Sequence, residues 1–220
     1  MNALSAREAY KLWAPTYAQE TAVSLIENEV VQQLCASTAG KRLLDAGCGI
    51  GRRLAQSDAA FGVGIDLCPE MLASATEPAC VAAANVTALP FNESQFDVVW
   101  CRLVIGHIPH LADIYSELAR VCAVNGSIVI TDFHPAAVAA GHRRSFSDID
   151  GVVREVEHYV HTVEAHMLAA ESAGLGLSAQ QEGVVGPSIR DFYAAAGRGD
   201  AYTAQLGLPL VLGLAFKKPA

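Results

Sequence analysis

The chain has 220 residues, of which 52% are hydrophobic and 17% charged, and its formal net charge is −8. This length and composition predict a single compact domain over residues 1–220, and they exclude a disordered or fibrous chain. The negative charge and the lack of any run of lysines or arginines argue against nucleic acid or an anionic membrane as a partner. The apolar stretch near the carboxyl terminus is too short to span a bilayer, and charges interrupt the first residues where a signal peptide would be apolar. We therefore expect a cytoplasmic protein.

Two helices are predicted in the first part of the chain. Ser5 and Glu8 have the spacing of a capping box, which satisfies free backbone N–H groups at a helix start, and Pro15 interrupts that helix. Apolar residues at a helical period predict a second helix over residues 20–36. Both helices precede the first stretch that is typical of a buried strand.

Short apolar runs then alternate with helical patterns. Pro69 occupies a first-turn position in the helix after the second strand, and an Asn125-Gly126 turn signal closes the helix after the fourth. A later helix is predicted to end at Gly174. The predicted strands lie at residues 41–47, 61–67, 79–85, 96–103 and 127–133, with a hairpin-like pair at 177–185 and 208–218. This alternation predicts an α/β fold, a doubly wound parallel sheet with helices on both faces.

A glycine-rich loop follows the first predicted strand, in the stretch "LLDAGCGIG" at residues 43–51. Glycines there allow a tight turn and a close approach of the backbone to a ligand. Asp66 ends the second predicted strand about twenty residues after Asp45, where a carboxylate can accept hydrogen bonds from both hydroxyls of a ribose. Ligands of doubly wound sheets bind at the carboxyl ends of the strands, so the pattern predicts a site there.

Four motifs in order, "LLDAGCGIG", "GVGIDLCPEML", "NVTALPFNESQFDVVWCRLVIGHIPHL" and "ELARVCAVNGSIVITDFHP", together resemble the class I S-adenosylmethionine-dependent methyltransferases. The chain is similar in particular to the small-molecule subgroup with a methyltransferase type 11 domain. The resemblance implies a Rossmann-like sheet of seven strands in the order 3-2-1-4-5-7-6 with the last strand antiparallel. The apolar run at 208–216 is similar to that reversed strand, which we expect at the edge of the sheet.

The resemblance also implies S-adenosylmethionine as cofactor, and it assigns a different role to each of three segments of the chain. Residues 1–40 would form a helical lid, 41–134 the cofactor-binding core, and 135–220 the substrate-specificity segment with the closing strands. The glycine loop would surround the methionine part of the cofactor, and Asp66 would take the ribose diol. Asn85 departs from the family, in which many members carry aspartate, although its side-chain oxygen can still accept a hydrogen bond from the adenine amino group. The implied cofactor residues are Tyr17, Asp45, Gly47, Gly49, Gly51, Asp66, Leu67, Met71, Asn85, Val86, Arg102 and Leu103.

The sequence gives several candidates, and no single choice, for the residues that would contact the methyl acceptor. His107 and His134 follow the fourth and fifth strands, and each is a candidate general base or a loop histidine bonded to backbone. Tyr10 and Trp13 are candidates for contacting the substrate from the lid, or for an aromatic face packed on the sheet. A predicted helix would place His158 and His161 on one face, as further substrate residues. His107 and His110 have the same three-residue spacing as His158 and His161. No metal is expected, because no carboxylate or cysteine cluster completes either of these two pairs.

We therefore predict methyl transfer to a small-molecule acceptor at oxygen, nitrogen or carbon, as in secondary metabolism, with S-adenosylhomocysteine as product. The alternatives are a protein of the same fold with other S-adenosylmethionine chemistry or with a non-catalytic role. A nicotinamide-dependent oxidoreductase is disfavoured, because the loop reads G-x-G-x-G instead of G-x-G-x-x-G. The sequence is compatible with a monomer or a homodimer, and it does not identify the acceptor.

Overall fold

The computed structural model describes residues 3–35, 37–75 and 80–220, and a seven-stranded sheet forms its centre. The described strands are β1 Arg42–Ala46, β2 Phe61–Asp66, β3 Val81–Ala83, β4 Phe96–Arg102, β5 Cys122–Phe133, β6 Ser145–Ser147, β7 Val153–Glu155, β8 Gly176–Val184 and β9 Pro209–Lys217. The described α-helices are α1 Ala6–Trp13, α2 Ala22–Leu34, α3 Arg52–Ala55, α4 Pro69–Ala73, α5 Leu111–Val121, α6 Pro135–Ala139, α7 Val163–Ser172, α8 Arg190–Ala195 and α9 Gly199–Gln205.

The order of the sheet is β3-β2-β1-β4-β5-β9-β8, and β6 pairs with β7 separately. Strands β1 to β5 are parallel, whereas β9 is antiparallel to both β5 and β8. Since β8 and β9 are the sixth and seventh strands of this sheet, the predicted order 3-2-1-4-5-7-6 is confirmed. The expected edge position of the final strand is wrong: β9 lies between two neighbours, which explains its unbroken apolar sequence.

Two layers of helices cover the sheet. On one face, α5 and α7 pack over Leu44, Val99 and Ile130. On the other face, α2 buries Ile26 and Val31 against the strands. Because both faces of the central strands are covered, these strands are apolar without alternation, as the sequence pattern indicated.

The helix starts follow their capping residues. The capping box of Ser5 and Glu8 is present in α1, and Thr21 caps α2. Pro15 lies in the 3₁₀ turn Ala14–Thr16 that ends the first helical segment. Asn125-Gly126 does not close α5 as predicted, because Cys122 is already extended and the turn residues lie inside β5, where Asn125 has a φ of 62°.

The helix predicted from residue 158 begins later. Thr162 caps α7, whose first residue is Val163, so His158 and His161 precede the helix and share no helical face. Residue 36, where the second predicted helix ends, and residues 76–79, which include the start of the third predicted strand, lie outside the described residues. Among the helices of the described ranges, none combines the length and the hydropathy that a membrane span requires.

A buried ion network joins α2 to the end of β4. The Glu27 side chain, which has no exposed surface, accepts two hydrogen bonds from Arg102 at 2.7 Å each. It also accepts from Thr131 Oγ1 at 2.9 Å and lies 2.8 Å from Arg53 Nη2. Burial raises the pKa of Glu27, but the charges of Arg53 and Arg102 outweigh burial and lower it below the usual value. Glu27 therefore stays ionised and holds two arginines in place.

The amino-terminal segment is tied to the region after β5. Leu4 forms a parallel bridge with Val156, in which Leu4 N donates to Glu155 O at 2.9 Å and Glu157 N donates to Leu4 O at 2.7 Å. Trp13 of α1 stacks on Phe146 of β6, with ring centroids 4.9 Å apart. Helix α1 and the residues before it thus contact the segment containing β6 and β7.

Candidate active site

The glycine loop lies at the carboxyl end of β1, next to β4, where the order of the sheet reverses. Gly47 N and Cys48 N both donate to Ile65 O at 2.8 Å, which fixes the loop to the end of β2. Gly47 has a φ of +88°, and a Cβ built on it would lie 2.1 Å from Val104 Cγ2. Glycine is therefore required there both by the backbone and by the approach of the segment after β4.

Gly47→Ala is expected to lower the free energy of unfolding by about 2–3 kcal/mol, from left-handed strain plus overpacking against Val104. The matched control is Gly174→Ala, because Gly174 has a φ of +74° but open space around its Cβ direction. That variant should lose only about 1 kcal/mol. Urea unfolding of both variants measures the difference, and equal losses would show that contact with Val104 is unimportant.

Asp66 ends β2 with its carboxylate facing the glycine loop. Its Oδ2 accepts from Gly49 N at 2.9 Å, and its Oδ1 accepts from Cys68 N at 2.8 Å. Burial raises the pKa of this carboxyl, although the backbone N–H donors counteract the shift. A carboxylate has about four acceptor positions, so two remain for a ligand with adjacent hydroxyls.

A cleft of about 740 Å³ opens in front of this loop, between α1 and the carboxyl ends of the parallel strands. Tyr10, His107 and Arg7 also line it, and the Arg7 side chain donates to Leu67 O at 3.2 Å. The structure brings together here most of the residues that the resemblance implied for the cofactor: Tyr17, Gly47, Gly49, Asp66, Leu67, Met71, Asn85, Val86, Arg102 and Leu103. We name this space the first cleft.

Two of the implied cofactor residues do not line the first cleft. Gly51 has a φ of 72° and forms the N-cap of α3. Asp45 is only 1% exposed, and its Oδ2 makes no hydrogen bond to any described residue. Burial raises the pKa of Asp45 to about 6, against the opposing effect of Arg102 and Arg53. A buried acceptor without a donor fits a positively charged group supplied by a ligand.

Arg102 reaches the first cleft, yet its guanidinium is already engaged. It donates to Glu27 and, at 2.7 Å, to Asn28 Oδ1. Leu103 follows it with a φ of 57°, an uncommon conformation for a bulky residue, and its N–H donates to Thr131 O at 3.0 Å. This kink after β4 turns Leu103 toward the ligand side, and no pattern in the sequence indicates it.

His107 forms a pair with Tyr10 inside the first cleft. Its Nδ1 lies 3.2 Å from Glu157 O, so this nitrogen carries the proton, and Nε2 accepts from the Tyr10 hydroxyl at 3.0 Å. Burial, followed by the charge of Arg144, lowers the pKa of His107 to about 3. The imidazole is therefore neutral and orients the Tyr10 hydroxyl, which also accepts from Arg144 Nη2 at 3.2 Å.

The other predicted histidines lie elsewhere. His134 caps α6, accepting from Ala136 N at 3.1 Å, and its Nε2 lies 3.5 Å from Glu182. The Nε2 of His161 lies 2.9 Å from Ile108 O. His158 Nε2 is 3.7 Å from Asp132 Oδ1. None of these three histidines lines the first cleft.

Asp132 is the centre of a buried polar cluster that the sequence did not indicate. His166 Nε2 lies 3.3 Å from Asp132 Oδ2, and the opposite ring nitrogen, Nδ1, is 2.9 Å from the Tyr115 hydroxyl. Burial raises the pKa of Asp132, but the neighbouring His158 and His166 rings outweigh burial and hold the pKa at about 2. The cluster fixes the chain before α7 against the end of β5. Among the described residues, no set of three histidine, cysteine or acidic side chains has the arrangement of a metal site.

A second cleft of about 950 Å³ adjoins the first. Tyr17 and Leu103 line both clefts and so mark their junction. Burial raises the pKa of Tyr17 to about 12, which keeps its hydroxyl protonated. Trp13 lies in the second cleft instead of packing on the sheet, and Phe133 contributes the apolar wall. The structure thus provides two connected spaces, with an aromatic residue of the amino-terminal segment between them.

Residues 44–130 match the family described as "Methyltransferase domain". The chain carries a class I S-adenosylmethionine-dependent methyltransferase domain. The glycine loop, Asp66 and most of the lining of the first cleft lie in this methyltransferase domain, and the cofactor of such domains is S-adenosylmethionine.

Two curated relatives are similar in sequence to this chain over part of their length. The chain is 27% identical over 164 residues to a malonyl-[acyl-carrier protein] O-methyltransferase of Dechloromonas aromatica, covering 73% of this chain and 59% of that protein. It is 32% identical over 154 residues to the 27-O-demethylrifamycin SV methyltransferase of Amycolatopsis mediterranei, covering 61% of this chain and 56% of that protein. The chain thus spans less than two thirds of the length of either relative.

Among solved structures, an S-adenosylmethionine-dependent methyltransferase from Mesorhizobium loti has the same fold, with a TM-score of 0.68 and 20% identity. The alignment covers 87% of this chain and 97% of that one. This likeness supports the Rossmann-like architecture of the methyltransferase domain.

Proposed function

We propose that the protein transfers a methyl group from S-adenosylmethionine to a small-molecule acceptor, with S-adenosylhomocysteine as product. The observation that carries this proposal is the first cleft, where Gly47, Gly49 and Asp66 meet at the reversal point of the sheet. The cofactor supplies an activated methyl group on a sulfonium. The protein's part is to bind, to exclude water and to align the two reactants, since proximity and orientation supply much of the rate.

The residues present fit the cofactor. The free acceptor positions of Asp66 suit a ribose diol. The side-chain oxygen of Asn85 accepts from Thr87 N at 3.0 Å and keeps a second lone pair, which suits an adenine amino group. A Cβ at Gly49 would lie 3.2 Å from Met71 Cε, so the absence of a side chain there leaves room beside Met71. The unpartnered Asp45 Oδ2 suits the ammonium of the methionine part.

We propose that the acceptor enters through the second cleft and reaches the methyl group at Tyr17 and Leu103. Helix α1 acts as the lid, with Tyr10 and Trp13 facing the reactants. His107 is too weakly basic to serve as a general base near neutral pH, so its role in this proposal is to orient Tyr10. The apolar side chains of Trp13 and Phe133 in this cleft suit a small acceptor of the kind found in secondary metabolism.

The test is calorimetric titration of the protein with S-adenosylmethionine, S-adenosylhomocysteine and NAD. Micromolar binding of the first two with no binding of NAD is expected. Incubation of the complex with an acceptor panel, followed by mass spectrometry, should then yield S-adenosylhomocysteine and a methylated product. Failure to bind either sulfur nucleotide would refute the proposal, and binding without any methylated product would favour other chemistry on the same fold.

Cofactor affinity should also depend on pH through Asp45. Its pKa of about 6 in the free protein must fall when an ammonium binds beside it, so binding favours the ionised form. Affinity for S-adenosylhomocysteine should therefore rise roughly tenfold between pH 5 and pH 7 and then level off. Titration at each pH measures this.

Asp45→Asn is the control for that dependence, because asparagine keeps the shape but does not titrate. The pKa of Asp66 is also raised, so the difference between wild type and variant isolates the part that belongs to Asp45. An identical pH profile in both proteins would show that Asp45 does not sense the cofactor.

A further inference from the structure

The second cleft is strongly basic in a protein whose net charge is −8. Arg52, Arg53, Arg143 and Arg144 line it, together with His142, and none of its described lining residues is aspartate or glutamate. Arginines concentrated in one concave space of an acidic protein attract an anion into that space.

Most of this positive charge is not neutralised by the protein. Within the described residues, only Arg53 of these four arginines lies within ion-pair distance of a carboxylate, that of Glu27, and its Nε makes no hydrogen bond. Arg52 donates to Ala18 O at 3.0 Å, and Arg143 donates to His142 O at 3.3 Å. Each guanidinium has five N–H donors, so several remain for a ligand with a planar or tetrahedral array of oxygens.

The anion-binding groups lie outside the lining of the first cleft, although Arg144 Nη2 donates to the hydroxyl of Tyr10, which lines that cleft. None of the four arginines lines that cleft, and they come from two regions of the chain, the start of α3 and the segment between α6 and β6. The apolar side chains of Trp13 and Phe133 complete the second cleft. A ligand with an apolar body and an anionic group therefore matches this space better than a neutral one.

We propose that the methyl acceptor carries a carboxylate or phosphate group, which Arg52, Arg143 and Arg144 bind in the second cleft. This inference rests on the proposed function, since it places the anionic group on one side of Tyr17 and the atom that receives the methyl on the other. The carboxylate of the cofactor is the competing source of an anion, and the experiment separates the two.

The experiment titrates the protein saturated with S-adenosylhomocysteine with benzoate, phenyl phosphate and neutral benzamide. At least one of the two anions should bind ten times more tightly than benzamide. The double variant Arg52→Ala/Arg143→Ala should reduce that preference to less than threefold, with unchanged affinity for S-adenosylhomocysteine. Arg190→Ala is the matched control, because Arg190 is exposed on α8 and lines neither cleft.

Several results would overturn the proposal. They are equal binding of the anions and benzamide by the wild type, an undiminished preference in the double variant, and an equal loss in Arg190→Ala. A tenfold loss of S-adenosylhomocysteine affinity in the double variant would assign these arginines to the cofactor instead. Should the double variant not fold, as judged by circular dichroism, Arg143→Ala alone carries the same test, because Arg143 is exposed. Lack of S-adenosylhomocysteine binding by the wild type would instead refute the proposed function.

Discussion

Glu27→Gln is expected to lower the free energy of unfolding by about 3–5 kcal/mol, the usual effect of removing one partner from a buried ion pair. The glutamine keeps one acceptor oxygen but leaves the charges of Arg53 and Arg102 without a counterion. Arg102 is buried, so water cannot replace the lost carboxylate there, whereas Arg53 is partly exposed at the second cleft. Urea denaturation at pH 7 measures the loss directly.

The pH dependence of stability gives a second readout for Glu27. Because its pKa is lowered in the folded protein, its contribution is present above the unfolded value of about 4.3 and is lost as the pH falls below it. The wild type should lose stability over this acidic range more steeply than Glu27→Gln. Glu29→Gln, an exposed change on the same helix, should cost less than about 0.5 kcal/mol. A loss below 1 kcal/mol at pH 7 in Glu27→Gln would mean that α2 is held by its apolar face alone.

Asp66→Ala is expected to weaken S-adenosylhomocysteine binding at least a hundredfold. Two hydrogen bonds from a ribose to a carboxylate contribute about 1.5–3 kcal/mol each, and every 1.4 kcal/mol is a factor of ten. The variant also removes the acceptor for Gly49 N and Cys68 N, which loosens the glycine loop. Calorimetric titration measures the affinity, and circular dichroism checks the fold.

Two comparisons separate the contact with the ribose from the support of the loop. Asp66→Asn keeps one acceptor oxygen and should show an intermediate loss. The loss of affinity from wild type to Asp66→Ala should be smaller for the 2′-deoxy analogue of S-adenosylhomocysteine than for S-adenosylhomocysteine itself. The analogue lacks one of the two hydroxyls, so it has one hydrogen bond fewer to lose. Equal penalties for both ligands would assign the whole effect to the loop. Asp113→Ala, an exposed change on α5, controls for the loss of one negative charge.

The sequence predicted best those features that depend on residues close to one another in the chain. The apolar runs, the capping box of Ser5 and Glu8, and the glycine loop are each determined by nearby residues, and the structure has them where predicted. The resemblance added the reversed final strand, which spacing alone does not specify. Its edge position was wrong, because β9 pairs with β5 as well as with β8, the partner that the hairpin-like pattern predicted.

The acceptor side was harder to predict because its contacts join distant segments. Arg52 and Arg143 are ordinary charged residues in the sequence and share one cleft only after folding. Likewise, the contact between Asp132 and His166 joins β5 to α7. The three-residue spacing of His158 and His161 suggested a shared helical face. The helix instead starts after them, because Thr162 is a preferred N-cap residue and caps α7.

The bridge between Leu4 and Val156 has a consequence for the order of events in turnover. Glu157 O, next to this bridge, also lies 3.2 Å from His107 Nδ1, so the segment before α1, the histidine and the chain at the end of β7 are joined by consecutive hydrogen bonds. Helix α1 therefore cannot swing away from the first cleft without breaking these bonds or carrying β7 with it. Exchange of the spent nucleotide and departure of the methylated product would then share one opening motion, and the two release rates would change together in variants of residues 153–157.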